Sequence, residues 1–246
     1  MTFPVYTEAT YIENWPRELL SLSMRTASLE MSVDDVVALG SYSRHFRQNM
    51  GITEVFDLSE DLCGRLSATL SDFPQGVMPR LGHCSWKGSM ISNTRIRSLR
   101  ELMSVITRPD DRISKVLINA ASHRHGLKLH LREWVDISPE NEFRTFVKSG
   151  KVVEISQYYW RDMFDLRDDI HPIRSNLKHI LRRIVTASHM DTFIADVCVG
   201  PNLDGRSFLI EINPWIDTAD HCLYQTRDFD GRLRFREDDR VMAVAL

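Results

Sequence analysis

Apolar residues recur along this chain with two different periods. From Trp15 to about Arg47 they are spaced as on helices, with Ser32 standing before Val33, Asp34 and Asp35 as an N-cap followed by an acidic first turn. A helix is predicted over RIRSLRELMSVI, where Ile96, Leu99, Met103 and Ile106 keep a three-to-four spacing. Another is predicted over HPIRSNLKHILRRIV, with Pro172 near its start and Ile173, Leu177, Ile180 and Ile184 on one face. Elsewhere the period is two. GVMPRL, Gly76 to Leu81, reads as a short strand, LKLHLREWVDI alternates through Leu127, Leu129 and Leu131, and EFRTFVKSGKVVEIS reads as two strands turned at Ser149-Gly150. FIADVCVG and RSFLIEIN are two more, joined by PNLDG. Strands linked by short turns, without regular alternation with helices, predict an α+β fold with a mostly antiparallel sheet.

Composition narrows the function classes. The 246 residues are 43% hydrophobic and 26% charged, with a formal net charge of −3, so no overall basic field points to nucleic acid or to an anionic membrane. Cys63, Cys84, Cys198 and Cys222 are scattered without C-x-x-C spacing, which favours a reducing compartment. The histidines His83, His123, His125 and His221 lack metal-ligand spacing, and the basic runs RIRSLR and HILRR read as solvated helix faces. No uncharged apolar run reaches membrane-spanning length, and a cytoplasmic protein is the expectation.

The last hairpin carries the chemistry. Side chains alternate along a strand, so Glu211 and Asn213 share a face of FLIEINPW, and Pro214 ends the strand. With Leu203-Asp204 as a two-residue loop, Asp196 lies opposite Glu211. With Asp204-Gly205 it lies opposite Asn213. Two carboxylates about 5 Å apart repel unless a cation or proton sits between them, and two acids plus an amide suit a magnesium ion that also takes water and phosphate oxygens. The alternative is that Asp196 caps a turn or pairs with an arginine while Asn213 merely ends the strand.

FLIEINPW and FIADV, together with LREWVDISPENEFRTFVKSGKVVEISQ, PRLGHCSWKGS and YIENWP, resemble the cell division cycle protein 123 family, an ATP-grasp family. The resemblance implies an ATP-grasp fold, in which two lobes with antiparallel sheets clamp Mg-ATP. Here a phosphate-loop lobe would occupy residues 1–126 and a lobe with the metal site residues 127–246. By that similarity Asp196, Glu211 and Asn213 would hold Mg2+ against the phosphates. The family's Pro-Lys-Leu-Asn-Trp-Ser-x-Pro-Lys stretch falls on Pro79 to Lys87, so Arg80 stands for its first lysine and Lys87 for its second. Arginine keeps the charge but is planar and bulkier, and Gly82 and His83 depart from the usual Asn-Trp. Backbone groups around Leu131, Arg132, Glu133 and Trp134 would meet the adenine edge, with Arg132 near the nucleotide. Arg144, with Glu142 on the same strand face, would clamp a phosphate or an acceptor. The plain alternative for that pair is a mutual salt bridge.

Two functions are compatible with this resemblance. Eukaryotic members of the family bind ATP and promote assembly of translation initiation factor 2, which implies a protein partner such as that factor's gamma subunit. The other reading is an ADP-forming ligase that activates a carboxylate as an acyl phosphate, with Arg144 and Lys87 neutralising charge during phosphoryl transfer.

Overall fold

The computed structural model describes residues 9–82, 84–86, 95–166, 168–200, 207–217, 219–224 and 229–246. They fall into two units. The first holds the described residues up to Glu13 together with Arg25–Val135, and the second holds Asn14–Met24 and Asp136–Leu246.

In the first unit, strands β1 (Thr26–Met31), β2 (Val77–Leu81), β3 (Cys84–Ser85) and β4 (Leu127–Glu133) form an antiparallel sheet in the order β1-β4-β2-β3. Alternation sorts its faces: Leu29, Met31, Leu127, Leu129, Leu131, Val77 and Leu81 are buried in the core, while Thr26, Ser28, His130, Arg132 and Arg80 occupy the opposite face. The core is completed by α2 (Val33–Ser41), α3 (Arg44–Met50), α4 (Glu60–Ser71), α5 (Leu99–Ile106) and α6 (Asp111–Ser122), which bring in Val36, Phe46, Leu62, Leu102 and Val116 among others. Each of these helices starts on a side-chain cap: Ser32, Ser43, Ser59, Ser98 and Asp110 accept hydrogen bonds from first-turn N–H groups that would otherwise lack a partner. Asp35 closes a capping box with Ser32 and also accepts the Ser59 N–H at 3.1 Å, which ties the start of α2 to the start of α4. Gly40 lets α2 and α3 meet, since a Cβ there would stand 2.4 Å from the Phe46 ring.

The second unit contains a short helix α1 (Arg17–Leu20), the long helix α7 (Ile170–Ser188) and six strands: β5 (Glu142–Lys148), β6 (Lys151–Gln157), β7 (Phe193–Cys198), β8 (Phe208–Asn213), β9 (Arg232–Glu237) and β10 (Arg240–Ala245). Their order is β10-β9-β6-β5-β7-β8, and only the β6–β9 pair is parallel. Ser149 and Gly150, at φ of 51° and 67°, make the β5–β6 turn in the left-handed conformation that matches strand twist. Ile173, Leu177, Ile180 and Ile184 on α7 are all buried, as their spacing required. Asn176 on the same helix donates from Nδ2 to the Gly200 carbonyl at 3.0 Å, just past β7.

The expected α+β class with antiparallel sheets is observed, and several elements differ. Thr26–Met31, inside the stretch expected to be helical, is strand β1, because three alternating apolar positions (Ala27, Leu29, Met31) pair with β4. Ile96 precedes α5 and instead bridges Val77, and the buried face of that helix is Leu102, Val105 and Ile106. Strands β9 and β10 and helices α4 and α6 were not anticipated from the pattern. Lys87, His83 and the hairpin loop 201–206 lie outside the described residues.

Candidate functional site

The second unit's sheet carries a row of polar residues straight across five strands. Arg234 on β9 pairs with Ser156 on β6, Ser156 with Arg144 on β5, Arg144 with Asp196 on β7, and Asp196 with Glu211 on β8. Register sets this alignment, and the side-chain period of two brings all five to one face. At the acidic end the register is the one a Leu203-Asp204 loop predicts, and it holds through Asn213 opposite Ile194. Beyond Asp196 it slips by one residue at a bulge, so Val197 pairs with Leu209.

Asp196 is fully buried and Glu211 is 5% exposed. The Asn213 amide nitrogen lies 3.1 Å from Asp196 Oδ2 and 3.1 Å from Glu211 Oε1. Arg144 grips Asp196 with two hydrogen bonds, Nε to Oδ1 at 2.8 Å and Nη2 to Oδ2 at 2.7 Å. Its Nη1 donates to the Asp220 carbonyl at 3.1 Å, and its guanidinium lies 4.8 Å over the Tyr158 ring. Arg144 therefore turns to Asp196 across the ladder, in the manner of the arginine pairing that was the alternative for that aspartate.

The charges perturb one another. Burial pushes the Asp196 carboxyl above its ordinary value, the Arg144 charge works against that shift, and neighbouring Glu211 adds to it. Burial alone would ease the proton off Arg144, but Asp196 outweighs it and holds the guanidinium charged. The Cys222 thiol is pushed up to about 12, mainly by burial, and Cys198 likewise to about 12 by burial with Glu142 adding to it.

Could this cluster hold a divalent cation? Its donor set is two carboxylates and an amide on one sheet face, all oxygen-bearing, which suits a hard ion that completes its shell with water or phosphate. The Asn213 amide group, a donor within 3.1 Å of both acids, stands in for the positive charge the pair calls for. Turning that amide about its last torsion would offer Oδ1 in its place. Arg144 already neutralises one of the two acids, so the cluster carries about one uncompensated negative charge when both are ionised. Among the described residues no group of three His, Cys, Asp or Glu side chains could hold a metal. A divalent ion at this cluster would need water or ligand oxygens to complete its shell.

The other expected residues lie in the first unit. Arg80 and His130 are cross-strand partners on the polar face of its sheet, and Arg132 is next along that face, opposite Met78 on β2 and Thr26 on β1. Arg80 is 2% exposed and Arg132 fully buried. Leu131 points into the core. The Glu133 and Trp134 N–H groups are committed to the carbonyls of Arg25 at 2.8 Å and Gly76 at 2.9 Å. Sequence reasoning missed Asp220 and the stacking role of Tyr158. The available signal was Pro214, which stops β8 and forces the following chain to turn. A cavity of about 460 Å³ in the second unit is lined by Glu140, Asn141, Met163, Phe164, Asp169 and Ile173 among others, and by none of the expected site residues.

Two sheets, each with a charged face carrying buried ionisable groups, define an α+β protein. The D123 family model matches residues 106–243, and the chain belongs to that family, the cell division cycle protein 123 family. Cell division cycle protein 123 of Eremothecium gossypii is 33% identical over 103 residues, covering 40% of this chain and 28% of that one. The translation initiation factor eIF2 assembly protein of Candida albicans is 25% identical over 192 residues, covering 69% of this chain and 53% of that one. The chain thus spans between about a quarter and half the length of these curated relatives. The solved structure of Cdc123 from Schizosaccharomyces pombe shares the fold, with a TM-score of 0.72 at 16% identity and 91% of each chain covered.

Proposed function

We propose that this chain is an Mg-ATP-dependent assembly factor for a protein complex, with a translation initiation factor of the eIF2 type as its partner. One observation carries the nucleotide half of the reading: Asp196 and Glu211 are buried side by side with Asn213 Nδ2 3.1 Å from each, an arrangement that a doubly charged ion satisfies better than an amide. Asp196, Glu211 and Asn213 would hold Mg2+, which would neutralise phosphate charge. Arg144, fixed on three sides, would set the position of Asp196 and keep one guanidinium edge for a phosphate oxygen. The assembly half rests on relatives that bear the name eIF2 assembly protein.

Titration calorimetry of ATP with and without magnesium tests the first half. Magnesium-dependent affinity is expected for the unaltered chain, with a loss on the order of tenfold or more in Glu211→Ala. Equal affinity in both would remove the metal assignment. Nucleotide product analysis separates the roles: ADP and phosphate released in proportion to an added carboxylate and amine would mark a ligase, whereas binding without turnover and retention on an immobilised eIF2 γ subunit would mark the factor.

A further inference from the structure

The polar face of the four-stranded sheet holds a second constellation, independent of the nucleotide reading. Ser28 on β1 and His130 on β4 are direct cross-strand partners, and Ser28 Oγ lies 2.8 Å from His130 Nδ1. The other ring nitrogen, Nε2, lies 2.8 Å from Oε2 of Glu13, a residue of the 3-10 turn Ile12–Asn14 that belongs to the same unit. The serine is exposed, the imidazole is fully buried and the Glu13 side chain is 14% exposed.

Donor and acceptor roles follow from the chemistry. An ionised carboxylate only accepts, so the hydrogen between Glu13 and Nε2 belongs to the ring, and Nδ1 turns its lone pair toward the hydroxyl. With the ring neutral, Ser28 donates to Nδ1. Nucleophile, base and orienting acid stand in the order that activates a serine, with the two ring nitrogens exchanged relative to the commonest triads. A buried histidine needs two hydrogen-bond partners, and that need alone would account for the contacts. It does not account for a solvent-reachable hydroxyl as one of them. β1 is an edge strand, so Ser28 can be approached from beside the sheet.

We propose that Ser28 is a nucleophile for acyl transfer from a short, unhindered carboxylic ester. Ser28 Oγ forms a bond to the ester carbonyl carbon as its proton passes to His130 Nδ1. Collapse of the tetrahedral adduct breaks the carbon–oxygen bond to the alcohol, which leaves with that proton. A water molecule then adds to the acyl-serine, gives its proton to Nδ1, and releases the carboxylic acid as the proton returns to Oγ. Glu13 is a positioning residue that fixes the ring and stabilises its charged form.

The test is labelling of the intact chain with a fluorophosphonate probe, peptide mapping of the adduct, and hydrolysis of p-nitrophenyl acetate. Labelling at Ser28 and ester turnover are expected, both lost in Ser28→Ala, an exposed substitution whose fold is checked by its thermal transition. Glu13→Gln keeps the nucleophile and should lower kcat on the order of a hundredfold at unchanged KM. Wild-type labelling no faster than that of Ser28→Ala, or an adduct on another residue, overturns the proposal and leaves Ser28 as a hydrogen-bond partner of a buried histidine.

Discussion

Arg144 shows how one side chain ties a buried acid into a sheet. It gives Asp196 two charge-assisted hydrogen bonds and the Asp220 carbonyl a third, so truncating it strands a carboxylate that is fully buried. Arg144→Ala should therefore cost about 3–5 kcal/mol in urea unfolding, whereas Asp196→Ala, which also removes the acid that repels Glu211, should cost less. An Arg144→Ala chain as stable as the wild type would contradict the pairing. The thiols give a second check at this scale. With Cys198 and Cys222 each pushed up to about 12, almost none of either is thiolate at neutral pH, so iodoacetamide should modify neither in the folded chain within the time that alkylates both in urea.

Among the elements, helix α2 is the clearest case of local sequence and tertiary packing acting together. Ser32 caps it and Asp35 closes the box, so Ser32→Ala should lower stability by about 1 kcal/mol. The local pattern could not show that α3 crosses it at Gly40. Any Cβ there would meet the Phe46 ring at 2.4 Å, and Gly40→Ala should cost about 1–3 kcal/mol despite alanine's better helix propensity, which urea denaturation would register. Strands tell the complementary story. β5 and β6 were legible because two apolar, strand-forming runs flank a Ser-Gly turn, and α7 because four apolar residues recur over several turns. β1 was hidden among helical neighbours because three apolar residues fit either period until a partner strand decides between them.

For the whole molecule, acid stability depends on where carboxylates sit. Burial would push Asp35 up, but hydrogen bonds from Ser59 and Ser32 outweigh it and hold its carboxyl below the ordinary value of 3.8. A lowered folded value means the folded chain binds its proton less readily than the unfolded chain. That stability is fully present above the ordinary value and is lost as pH falls through the folded one. The stability difference between the wild-type chain and Asp35→Asn should be constant near neutrality and shrink below the ordinary carboxylate range, as read from urea midpoints across pH. A difference that grows on acidification would reverse the sign. Among the described residues no helix is long and apolar enough to cross a membrane.

The amino-acid order by itself determined the α+β class, the Ser32 cap, the long amphipathic helix and the presence of two acids and an amide on the β7–β8 hairpin, because each rests on spacing within one segment. It left open whether Asp196 faces Glu211 or Asn213, and whether its counter-charge is a metal ion or an arginine. Only the folded sheet decided the register, with Asp196 opposite Glu211, and brought Arg144 to it from a strand 52 residues away. Strand pairing is a long-range choice made by side-chain burial on both faces at once, and no local period encodes it.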